Sequence, residues 1–80
     1  MDPTYFSLVE AVEKKHYSLI EREAHTLKGV AANLGLDSLR YASDGLVQAV
    51  RRKEYDEIPA LFEIIKTAHE KMVEVLSQLD

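Results

Sequence analysis

The run Ala24-His25-Thr26-Leu27-Lys28-Gly29 sets an imidazole three residues from an ammonium and four from a residue with no side chain. In a helix these are the separations at which side chains are neighbours. Imidazole keeps a nucleophilic neutral fraction near neutral pH, its reference pKa being about 6.5. Attack on a phosphoryl group would give a phosphoimidazole whose negative charge Lys28 can partly offset. No acid, second nucleophile or hydrolytic base stands at a diagnostic spacing around His25. The pattern therefore suits a site that accepts a group and hands it on, leaving the harder catalysis to a partner. Gly29 disfavours the helix by about 1 kcal/mol relative to alanine, and together with the small Ala32 it leaves room beside the ring for a partner to dock. The spacing alone supports only an anion-tolerant exposed imidazole, and an ordinary surface or boundary histidine is the blander reading of it.

At about 100° per residue, His25 lies beside the Ala24-Leu27-Ala31 stripe and shares its own face with Arg22, Lys28, Gly29 and Ala32. Glu21, Arg22, Thr26, Ala32 and Asn33 surround it and are the expected partner-contacting residues. For Asn33, a polar helix end and an amide that orients a docked partner both remain open. His16, in a connecting turn, and His69, bordering the stripe of the last helix, read as structural or incidental. The three histidines match no HExxH or comparable ligand spacing, so no metal site is expected. Gly29 and Gly35 form no GxGxxG loop. Tyr5, Phe6, Tyr17, Tyr41, Tyr55 and Phe62 are too scattered for a base-stacking platform, and most of them read as core or boundary residues.

These residues must be positioned by a small frame. Eighty residues make one domain, 1–80, whose core is only marginally sufficient, since chains of this size bury about 60 to 65% of their unfolded surface. The absence of cysteine excludes a disulfide scaffold, a thiolate nucleophile and a sulfur-ligated metal. Met1-Asp2-Pro3 offers neither a basic leader nor an apolar run near the roughly 18 residues of a membrane span, so the cytoplasm is the expected location and no membrane partner is expected. Fourteen acidic against ten basic side chains give a formal charge of -4, which disfavours nucleic-acid binding. The one basic run, Arg51-Arg52-Lys53, falls where a helix should end and there favours the carbonyl end of the dipole.

Four helices account for the pattern. Asp2 can cap the first, with Pro3 at its first position, and Tyr5, Leu8, Val9 and Val12 recur until it ends near residues 14–16. The second spans Tyr17 to Leu34 with Ile20, Ala24, Leu27, Ala31 and Leu34 as its stripe, and Gly35 can stop it with positive φ. Asp37 or Ser38 can cap the third, which turns Leu39, Ala42, Leu46, Ala49 and Val50 inward. Gly45 in its middle suggests close backbone approach to a neighbouring helix. Asp56 can cap the last, with Pro59 in its first turn, and Ile58, Leu61, Ile65, Ala68, Met72, Val75 and Leu79 follow in heptad spacing. Short connections make consecutive helices antiparallel. The expected fold is all-α, an antiparallel up-down four-helix bundle with a short first helix. A two-stranded coiled coil of the last helix alone would leave the second and third stripes without a partner.

The stretch Ala24-His25-Thr26-Leu27-Lys28-Gly29-Val30-Ala31-Ala32-Asn33-Leu34-Gly35 closely resembles the signature of histidine-containing phosphotransfer (HPt) domains of bacterial phosphorelays. The likeness continues through Leu39, Ala42 and Leu46, and more loosely from Val12 to Leu76. It implies a four-helix bundle in which His25 is phosphorylated on its outer ring nitrogen, Lys28 steadies the phosphoryl oxygens and Gly29 gives a partner steric access. It implies reversible transfer from a phospho-aspartate receiver domain to that of a response regulator, with a hybrid sensor histidine kinase upstream. Magnesium would be bound in the receiver and no cofactor in this chain, with no kinase or hydrolase activity of its own. In two places the chain departs from the family's pattern. Many relatives carry a longer first bundle helix and one more before it; the short cover here raises homodimerisation or packing against another part of a larger protein. Val47 stands where many relatives carry a glutamate. In the chemotaxis-kinase branch an acidic residue of that helix assists autophosphorylation, so the valine fits a generic relay partner. The rival reading is a helical adaptor that docks to receivers without accepting phosphate.

Overall fold

A computed structural model describes residues 4–78. Its elements are α1 (Thr4–Glu13), α2 (Tyr17–Leu34), α3 (Asp37–Arg51), a single 3-10 turn at Tyr55–Glu57, and α4 (Ile58–Ser77), with no strand among the described residues. Successive helices pack side by side, α1 on α2, α2 on α3 and α3 on α4, in the up-down arrangement that the short connections demand. The expected cap at Asp2, Pro3 at the helix start and Leu79 at the end of the last stripe lie outside the described residues.

Three of the connections share one device. After α1, α2 and α3 the chain passes through a left-handed residue, Lys15 (φ 55°), Gly35 (φ 70°) and Lys53 (φ 59°). The following amide then reaches back to a carbonyl of the last turn: His16 to Ala11 at 2.9 Å, Leu36 to Ala31 at 2.9 Å and Glu54 to Ala49 at 2.8 Å. This closure satisfies carbonyls that a helix end otherwise leaves open. Glycine takes the conformation without steric cost, whereas a side chain there costs about 1–2 kcal/mol.

Helix starts depart from expectation. The residue preceding α3 is Leu36, with no side-chain cap, and Asp37 lies inside the first turn, where its charge complements the dipole instead of accepting a capping hydrogen bond. Likewise Asp56 does not cap α4: it belongs to the 3-10 turn, and Glu57 precedes the helix without a side-chain cap. Pro59 does sit within the first turn of α4.

The core is built from the predicted stripes plus several neighbours. Leu8, Ile20, Leu46 and Ile65 are fully enclosed, and Ala24, Ala31, Ala42 and Ala49 are buried where α2 meets α3. Alanines seven residues apart on both helices keep this seam narrow. At the other seam, a Cβ on Gly45 would stand 2.8 Å from Cδ2 of Leu61, so the glycine makes room for that side chain of α4, and no backbone atom of a neighbouring helix comes as close. Val47 is also buried, and the buried hydroxyl of Ser43 finds no hydrogen-bond partner among the described residues. Phe6 and Tyr41, among the aromatics read as core or boundary, are exposed, and so are two residues of the predicted stripes, Leu34 at 62% and Val75 at 50%. Leu34 and Val75 lie toward the ends of α2 and α4, and the ten-residue α1 is much shorter than the eighteen-residue α2 it packs on. Burial there needs a further helix over the groove between the start of α3 and the end of α4, and among the described residues α1 is too short to supply it.

Two ring stacks tie the periphery. Tyr17 and Tyr55 face each other at 3.9 Å and 3°, joining the start of α2 to the turn before α4. Tyr5 of α1 stacks on His69 of α4 at 3.7 Å and 1°, which gives that histidine a structural occupation.

Candidate functional site

Helix α2 carries the site because its inner stripe commits it to the core: Ile20, Ala24, Leu27 and Ala31 are buried, which turns His25 outward, and the ring is exposed. The seam with α3 defines its surroundings. Lys28 Nζ donates to Asp44 Oδ1 at 2.8 Å, and Arg51 Nε donates to Glu21 Oε2 at 3.2 Å. Lys28 lies seven residues beyond Glu21 on α2, and Asp44 lies seven before Arg51 on α3, so both pairs obey one antiparallel register. Seven residues of helix are about 10 Å. His25 thus stands between two ion-pair rungs, with the cation on its own helix on one side and on the neighbouring helix on the other.

On the Arg51 side the surface dips into a depression of about 390 Å³ lined by Ser18, Glu21, Arg22, His25, Thr26 and Arg51. The hydroxyl of Thr26 donates to the Arg22 carbonyl at 3.2 Å, so its hydrogen is committed to the helix backbone. Arg22 is exposed and reaches Glu23 at 3.4 Å. The depression therefore offers two guanidinium groups beside the ring, against one carboxylate in its lining.

Three of the five expected partner-contacting residues, Glu21, Arg22 and Thr26, come together with His25 in this depression, while Ala32 and Asn33 are exposed further along α2. Gly29 meets the expectation of open space: a Cβ built on it would find no atom within 4 Å. Lys28 is not the solitary ammonium its spacing suggests, being held by Asp44 with the two side chains 40% and 43% exposed. Its hydrogen bond, reinforced by its charge, holds the Asp44 carboxyl below its ordinary range; burial opposes this, and Gln48 and Arg40 assist it.

Asp44 and Arg51 are the residues missed by sequence reasoning. The sequence position of Arg51 suits it to the helix dipole, and it does lie in the last turn of α3, but its guanidinium also reaches across to α2. A signal existed: opposite charges at the same seven-residue separation on two helices expected to be antiparallel. Among the described residues no three histidine or acidic side chains gather as a metal-ligand set, and no helix is long and apolar enough to cross a membrane.

Comparison with known proteins finds no curated protein and no solved structure that matches the chain. The family model described as the Hpt domain does match, over residues 6–79, nearly the whole chain. With its bundle architecture and that match, this chain belongs to the Hpt domain family, whose members work in phosphorelays and interact with receiver and sensor-kinase domains.

Proposed function

We propose that the chain is a single phosphotransfer domain in which His25 reversibly accepts a phosphoryl group from a phospho-aspartate receiver and passes it to a response regulator. The observation that carries this reading is the exposed imidazole standing between two cross-helix cations, Lys28 and Arg51, with Arg22 beside it. In the transfer, the lone pair of the neutral ring nitrogen forms the N–P bond as the bond from phosphorus to the aspartyl oxygen breaks. The carboxylate leaves, the second ring nitrogen keeps its hydrogen, and no proton has to move. The dianionic phosphoryl group gains an ammonium on one side and guanidinium groups on the other, the charge arrangement that phosphoryl transfer requires. Open space at Gly29 gives a receiver room to bring its aspartate in line. Glu21, Arg22, Thr26, Ala32 and Asn33 form the surrounding surface on which partner choice depends.

Mixing the protein with a receiver carrying radiolabelled aspartyl phosphate tests this. Acid-labile, hydroxylamine-sensitive label should move onto the chain, and His25→Gln should abolish it. Receiver binding that survives His25→Ala, with no label transferred from a broad panel of receivers, would replace this reading with the docking adaptor.

A further inference from the structure

Asp44 belongs to no motif, yet it is the group that fixes the one ammonium on the face of His25. A lysine on a helix surface is a flexible point charge with about 2 kcal/mol of rotamer entropy to lose, so a free Lys28 would have to be ordered during the transfer itself. Here the ammonium is already engaged, 2.8 Å from a carboxylate on the adjacent helix. The backbone that carries that carboxylate is held by the core. Asp44 sits between buried Ser43 and the glycine against which α4 packs, with Arg40 and Gln48 one turn to either side on α3. Both members of the pair are partly exposed, so the ammonium remains open to solvent and to an arriving anion. An ammonium has three N–H donors; one is committed to Asp44 and two remain for phosphoryl oxygens.

We infer that Asp44 is a positioning residue for transfer at His25, a role that rests on His25 being the acceptor: it presets the Lys28 ammonium so that the incoming phosphoryl group meets a cation already in place. Its contribution is made through Lys28 and through no other group. Val47, level with His25 between the two rungs on α3, is an apolar core residue and cannot take this part.

The test is a double-mutant cycle read by single-turnover transfer from a phosphorylated receiver, with Asp44→Ala, Asp44→Asn, Lys28→Ala and the Asp44→Ala/Lys28→Ala pair. Asp44→Ala should slow transfer about fivefold and leave receiver affinity unchanged, the range that a partly exposed ion pair can supply. In the Lys28→Ala background the same substitution should have no further effect. Asp44→Asn keeps the shape of the side chain and should fall between parent and Asp44→Ala. The 15N side-chain signal of Lys28 in the intact protein should show increased mobility in both Asp44 variants, a readout that does not depend on transfer. Parental or faster transfer in Asp44→Ala, or an undiminished loss in the Lys28→Ala background, overturns the role. If the parent itself takes no label, the acceptor assignment fails and this role fails with it; if the parent is labelled on His25 and Asp44→Ala matches it, only the role of Asp44 falls.

Discussion

Substituting Gly29 should make the protein more stable and a worse phosphotransfer partner. The glycine lies in the interior of α2 with ordinary helical backbone, since Gly35 is the one positive-φ glycine among the described residues. Replacing an interior helical glycine by alanine gains about 1 kcal/mol. Nothing has to be subtracted for a clash, because a Cβ at this position meets no atom within 4 Å. For a domain of this size that gain raises the melting temperature by about 4–8 °C. Gly45 is the internal control, as a Cβ there would stand 2.8 Å from Leu61 and offset the same gain. Docking should respond in the opposite sense. A side chain pushed into a packed contact costs about 1–3 kcal/mol, so Gly29→Gln should cut the transfer rate by about tenfold or more while keeping most of the added stability. Thermal melts monitored by circular dichroism and single-turnover transfer on the same samples would read both effects. A lower melting temperature in Gly29→Ala would refute the open-space argument, and parental transfer by Gly29→Gln would refute the access role.

Other substitutions separate framework from site. His69→Ala should cost about 1 kcal/mol through loss of the Tyr5 stack, speed amide exchange in α1, and leave transfer at the parental rate; a loss of label would mean that His69 does chemistry. Lys53→Gly should stabilise the fold by about 1 kcal/mol in urea titrations because it removes a side chain from a left-handed position; a destabilised variant would contradict that strain. Asp44 titrates below its ordinary range when folded, so its stabilisation is present above the unfolded carboxyl pKa of about 3.9 and is lost as pH falls through the depressed value. With both side chains about two-fifths exposed, the parent should exceed Asp44→Asn by only about 0.2–1 kcal/mol near neutral pH, converging in acid and at high salt. A gap unchanged across that acid range would mean that the pair is not its origin.

Much of the frame was legible because periodicity and punctuation agreed. The bounds of α2 follow from its stripe and from Gly35, which takes the left-handed stop that its position suggests. The start of α3 was less legible, since Asp37 is equally suited to a cap and to a first turn, and only the tertiary path places Leu36 at the boundary. Lys15 and Lys53 adopt a conformation that their residue type does not announce. Leu34 and Val75 carry the right spacing for burial, but spacing cannot say whether an opposing helix extends far enough to cover them. At the site, the neighbourhood of His25, Lys28 and Gly29 follows from local helix geometry. The partners of Lys28 and Glu21 depend on the register between α2 and α3, a property of two helices that neither one encodes alone.

The most direct test of the central assignment is where the phosphate resides. After transfer from a phosphorylated receiver, 31P NMR with 15N-labelled histidine should show a single phosphoramidate coupled to a ring nitrogen of His25, with His16 and His69 unmodified. Coupling to either of those histidines, or no phosphoramidate on the chain while the receiver loses its phosphate to water, would contradict it.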